Sequence, residues 1–193
     1  MYSRSILAAC IAAASGSWIA APSAQAAPLV EPTVGLDLDF AVPVQSPLLT
    51  AGAGFDARVG VAFHIASFSL TPELALGYVV MDARVFRFHP GVRFGVGRLI
   101  MASVYGHIGY GLTRYLSGAT TGWEGTPIPA SVETVGGASF DAGAALDIRP
   151  IRRVSVGAQA GYNVTQVGRP GVADAPYFAA RWLNFGLHGA VYF

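Results

Sequence analysis

The side chains best equipped for chemistry are four histidines, His64, His89, His107 and His188. An imidazole can act as a general base, as the partner of a nucleophile or as a metal ligand. Acyl transfer also needs a hydroxyl and a carboxylate held close to the ring. The nearest serine along the chain is Ser67, just past His64 in an expected tight turn. A metal site built from one segment needs ligands at short, regular spacing. Here the histidines fall on four separate alternating stretches, so no metal site is expected. Gly91 to Gly97, G-V-R-F-G-V-G, has the composition of a phosphate loop. No helix follows it, and it lies inside an alternating stretch, so it does not read as one. These patterns predict no catalytic residue and no cofactor.

A second set of polar residues shares the parity of the histidines. It consists of Asp37, Asp39, Asp56, Glu73, Asp141 and Asp147, with Arg58, Arg87, Arg93 and Arg149. Each sits opposite an apolar set with a period of two. If these charges are enclosed together they must pair, because an unpaired buried ion costs several kcal/mol. The expectation is a structural Arg–carboxylate network. The alternative is a proton- or ion-conducting path.

The elements that position them are strands. Val34–Val42 alternates Val34, Leu36, Leu38, Phe40 and Val42 with Gly35, Asp37, Asp39 and Ala41. Similar stretches follow over 54–64, 68–80, 86–97, 104–113, 140–149, 154–165 and 178–193. The residues before Val34 read as a lead-in. Pro72 and Pro90 interrupt their stretches, and a bulge or break is expected at Pro72, since proline cannot donate to a ladder. The count is eight strands, mostly near the nine to eleven residues that cross a bilayer at a tilt. Connections after the first, fifth and seventh strands are long: 43–52, the loop 116–137 and the loop 167–176. Those after the second, fourth and sixth are short, and the third, near Met81 to Arg84, is intermediate. Tyr115, Trp123, Tyr177, Phe178 and Trp182 then gather at the long-loop rim, and Phe63, Phe68 and Phe193 at the other, as two interfacial girdles.

Composition decides which face points out. Only 12% of residues are charged, none is Lys, and 53% are apolar. The polar face is mostly Gly, Ala, Ser and Thr, a poor water-facing exterior but a good filling for a narrow lumen. The all-β reading is therefore an eight-stranded, antiparallel, up-and-down transmembrane β-barrel rather than a soluble barrel with an apolar interior. A net charge of +1 gives no case for nucleic acid.

Residues 1–26 read as a secretory signal peptide: Arg4, an apolar core over Ile6–Ala14 and an Ala24-Gln25-Ala26 cleavage site. The barrel is assigned to 27–193. Removing the leader removes Cys10, the single cysteine, so no disulfide or thiolate metal site is expected.

The leader, the eight alternating strands, the alternating connection lengths and the terminal Phe193 resemble the small bacterial outer-membrane β-barrels, the OmpA-transmembrane-domain and OmpX-like class. The resemblance implies a bacterial outer-membrane location, outer-membrane lipid as surroundings, and recognition of the C-terminal strand by the barrel-assembly machinery through Phe193. The fit of that signal is partial, because Val191 stands where an aromatic is usual. No cell-wall-binding segment follows Phe193, so a tether is not expected. Some barrels of this size are lipid A deacylases, but their outward-facing His-x-Ser pattern is missing here. The function expected is a structural or surface-interaction role, with loops 116–137 and 167–176 contacting external ligands. A narrow solute channel is the alternative.

Overall fold

The computed structural model describes residues 29–44, 50–117, 120–121, 127–128, 131–167 and 178–193. The leader, 1–26, lies outside the described residues. The elements are β1 (Val30–Pro43), β2 (Gly52–Ile65), β3 (Phe68–Val80), β4 (Ala83–Gly97), β5 (Ile100–Ser117), β6 (Thr120–Thr121), β7 (Pro127–Ile128), β8 (Ser131–Ile151), β9 (Val154–Val167) and β10 (Phe178–Tyr192). Eight of them close a barrel in the order β1-β10-β9-β8-β5-β4-β3-β2, with every pairing antiparallel. Strands β6 and β7 form a separate two-stranded hairpin.

Alternation sorts the side chains. Leu36, Leu38, Phe40, Phe88, Phe94, Ile108 and Leu187 are exposed on the outer wall, while Asp37, Arg58, Glu73, Arg87 and Asp147 are buried inside. A water-facing wall of this kind would leave a continuous apolar surface in water. In lipid the same wall needs no cover, and closure satisfies the backbone without an open edge. The barrel is therefore of the membrane type.

Three turns and both strand termini, Val30 and Tyr192, lie at one end, here called the turn end. Ala66, in the turn joining β2 to β3, has φ 58°, and Gly97, at the turn joining β4 to β5, has φ 126°. The second is a backbone conformation that only glycine adopts without strain. The other end is the loop end.

The strands run longer than expected from hydrophobic alternation. β1 begins at Val30 rather than Val34, because Glu31, Pro32 and Thr33 find partners at Ala62, Val61 and Gly60. The stretch 116–137 is not a continuous loop. β5 and β8 have 18 and 21 residues and stay paired up to Ser117 opposite Ser131. Residues 168–176 of the second proposed contact loop lie outside the described residues. The intermediate connection is the tight pair Met81–Asp82, and Asp82 Oδ2 accepts a hydrogen bond from the Thr50 backbone N–H at 2.8 Å.

Pro72 interrupts the ladder locally, as expected, without a bulge. The β2–β3 ladder skips from Gly60/Glu73 to Phe63/Leu70 without a change of register. Pro90 does the same between β4 and β5, from Phe88/Tyr110 to Gly91/His107, and β4 is unbroken from Ala83. Each proline loses pairing on one side and keeps it on the other, where it faces Val92 or Leu74. The register shift lies instead between Ile148 and Ile151, beside Pro150.

Candidate functional site

The lumen brings the charged set together. Arg58 on β2 donates to Asp37 Oδ1 on β1 at 2.7 Å and to Glu73 Oε2 on β3 at 3.2 Å. Asp37 also meets His188 Nδ1 on β10 at 2.7 Å, and Arg58 contacts the same ring nitrogen. Glu73 Oε1 accepts from Arg93 Nε at 3.3 Å and from His107 Nε2 at 3.0 Å. The other nitrogen of His107 lies 2.7 Å from Asp141 Oδ1. Both ring nitrogens of His107 therefore face carboxylates, one on each neighbouring side of the lumen.

A second branch lies toward the loop end. Arg87 forks onto Asp56 with distances of 2.9 and 2.7 Å, bonds Asn163 Oδ1, and lies 3.9 Å from Asp141 Oδ2. Asn163 donates to Asn184 at 2.9 Å, and Asn184 to Asp39 Oδ2 at 3.2 Å. Gln159 donates to the other Asp39 oxygen at 3.0 Å. Asp39 is thus held by amides rather than by an arginine. Asp147 lies 3.4 Å from His188 Nε2, and neither of its oxygens accepts a hydrogen bond among the described residues. Arg149 stands apart near the turn end, 3.7 Å from Glu31 Oε2 and with its guanidinium 3.7 Å from the centre of the Tyr192 ring.

Glycines make room for these heads. A Cβ on Gly77 would run into Asp56 Oδ1 and come within 2.8 Å of Arg87 Nε. A Cβ on Gly35 would meet Arg58 Nη2 at 2.9 Å.

Each end of the lumen carries an apolar cluster. At the loop end Trp182 is 0% exposed and packs with Ala41, Val79, Val85 and Ala180, with Arg87 5.5 Å from its ring. This corrects its expected place in the outer girdle: Trp182 shares the parity of Asn184 and His188, so it points inward. Phe63, Phe68 and Phe193 are exposed at the turn end. The side chains of Tyr115, Trp123, Tyr177 and Phe178 lie outside the described ones. At the turn end Tyr192 packs with Ala62 and Ala190. Against this turn-end cluster lies a cavity of about 20 Å³, lined in part by Arg58, Glu73, Arg93, Asp147 and His188. That is room for about one water.

The charge expectation omitted residues that take part. His64 pairs with Glu31 at 2.9 Å, and His89 lies 3.5 Å from Asp141 Oδ2. His107, His188, Asn163, Asn184 and Gln159 complete the contacts above. Lumenal carboxylates outnumber the arginines, and the histidines supply the remaining cation-capable groups. Shared parity was the available signal. No His/Ser/carboxylate set is presented on the outer wall by these residues; each histidine faces a carboxylate inside. No group of three or more potential metal ligands is found among the described residues.

No protein-family model matches the chain, and no curated protein matches it in sequence. Solved structures do. Neisserial surface protein A has a TM-score of 0.52 and 13% identity, over 84% of this chain and 97% of that one. Ail of Yersinia pestis has a TM-score of 0.48 and 11% identity, over 84% and 96%. The outer membrane enzyme PagL has a TM-score of 0.46 and 16% identity, over 82% and 98%. The fold and the lipid-compatible wall define an eight-stranded transmembrane β-barrel. Its fold is that of the small bacterial outer-membrane barrels.

Proposed function

We propose that this protein is a closed structural and surface-interaction barrel of the bacterial outer membrane. Residues 1–26 are removed as a secretory leader, and 27–193 form the barrel. The lumenal charges hold the cylinder shut, and the connections at the loop end meet external partners. The carrying observation is the filled lumen: an apolar cluster at each end and a cavity of about 20 Å³ against the turn-end one. Eight strands enclose only enough space for side chains to fill. The long β5–β8 pair supports the second part, since its ladder continues to Ser117 opposite Ser131, and recognition tends to lie on loops carried by such a scaffold.

The full chain, expressed and isolated in outer membranes, tests this. The barrel should migrate differently boiled and unboiled on a denaturing gel, with an intact mass beginning at Ala27. Refolded into planar bilayers it should give no single-channel steps. Reproducible steps would sink the closed-barrel reading in favour of a channel. Recovery in the soluble periplasmic fraction would sink the membrane reading itself.

A further inference from the structure

Among the arginines outside the lumenal network, two stand side by side. Arg84 on β4 and Arg114 on β5 have the parity of Phe86 and Leu112, so they project from the outer wall, and both are exposed. They are direct cross-strand partners. Such partners have Cβ atoms about 5 Å apart, and like charges placed so destabilise a sheet. Neither has an ion pair or a hydrogen bond among the described residues. Among the described residues, no carboxylate is ion-paired to either cation of this side-by-side pair on the outer wall.

Their surroundings suggest a counterion. Thr134 lies opposite Arg114 on β8, which adds a hydroxyl to the row. One step toward the membrane centre, Tyr78, Phe86 and Leu112 form the next row of the wall. Together these six residues line a hollow of about 210 Å³. The hollow is cationic on its loop-end side and apolar on the membrane side. Guanidinium groups bind phosphate through two parallel hydrogen bonds, and charge-assisted bonds of this kind are the strong ones. An amphiphile with a phosphate head and acyl chains matches both halves. A soluble anion would use only the upper half.

We propose that Arg84 and Arg114 form a clamp for the phosphate of an anionic membrane lipid, whose acyl chains lie along Tyr78, Phe86 and Leu112. The bound phosphate removes the repulsion between the two arginines. It also pins a lipid to the barrel at the loop-end interface. This inference rests on the barrel standing in lipid with its loop end at a membrane surface.

The test uses the full mature barrel refolded in neutral detergent micelles, with native mass spectrometry counting bound lipid. The probes are bisphosphorylated lipid A and the same lipid stripped of its phosphates. The double variant R84Q/R114Q should bind the phosphorylated lipid at least about tenfold more weakly than the wild type, since a single charge-assisted contact is worth roughly that. R153Q, which removes an arginine at the turn end, should bind like the wild type. The stripped lipid should bind the wild-type barrel no better than the phosphorylated lipid binds the double variant. Equal binding by wild type and double variant would overturn the clamp. So would equal losses in R153Q, which would make the effect one of total charge. Displacement of the lipid by inorganic phosphate alone would overturn the lipid assignment in favour of a soluble anion. Heat-dependent gel mobility of each variant separates these failures from failure of the barrel reading.

Discussion

Replacing Arg58 with alanine tests whether the lumenal charges hold the barrel. The side chain is 5% exposed and carries ion pairs to Asp37 at 2.7 Å and Glu73 at 3.2 Å. Removing one partner of a buried ion pair costs about 3–5 kcal/mol, because the orphaned charge stays out of water. Two features place this case at the lower end. Asp37 keeps His188 at 2.7 Å, and Glu73 keeps Arg93 at 3.3 Å and His107 at 3.0 Å, so neither acid is abandoned. The space vacated also joins the cavity of about 20 Å³ and becomes large enough for water, which can solvate both carboxylates. The expected loss is therefore about 3 kcal/mol. Urea unfolding in detergent micelles, followed by tryptophan emission and by the heat-shifted gel band, measures it as a lower midpoint at unchanged slope. R84A is the matched control, since Arg84 is exposed and unpaired, and should stay within about 0.5 kcal/mol of the wild type. If R58A also stays within that margin, the reasoning that ties the network to stability is refuted. If R58A conducts while keeping wild-type stability, the charges line a path rather than brace a wall.

Three further outcomes are expected. G77V should lower the same unfolding midpoint by about 1–3 kcal/mol through overpacking, because a side chain there displaces the Arg87–Asp56 fork; G106A, whose Cβ meets nothing within 4 Å, should not lower it. Trp182, measured as the remaining tryptophan of the cleaved chain in a W123F background, should emit at short wavelength and resist acrylamide quenching. W182A should cost about 3–5 kcal/mol, and ready quenching of Trp182 would show that the loop-end cluster does not close the lumen. Deleting Phe193 should reduce the amount of barrel in outer membranes of cells while leaving refolding in micelles intact; an equal loss in both would assign Phe193 to folding rather than to assembly.

Two of the close contacts in the network follow from register. His107 is the direct cross-strand partner of Asp141, and His188 that of Asp37. Anyone who aligned those neighbouring strands would have paired them, whereas reading the charges as an Arg–carboxylate set left the histidines out. Arg87 with Asn163 joins strands that are not neighbours in the barrel, and no ladder brings them together. Trp182 shows a different error. Its place beside a long connection suggested a girdle, but parity with Asn184 outweighs proximity to a loop, because an interior position on a strand stays interior to its end.

What the amino-acid order determined by itself is the class of structure. Alternation requires no partner to be recognised, and a polar face of small residues without lysine suits a lumen better than a water-facing surface. Strand number, face assignment and the inverted barrel follow from that. What only the tertiary structure decided is where pairing stops and which charges meet. Residues 131–137 lack clear apolar alternation, yet they are strand because β5 supplies a hydrogen-bonding partner for each. Pro72 and Pro90 stay in register because the neighbour on one side holds each strand in line. The isolation of Arg84 beside Arg114 is likewise a property of the closed sheet, since only strand register places them opposite each other on its outer wall.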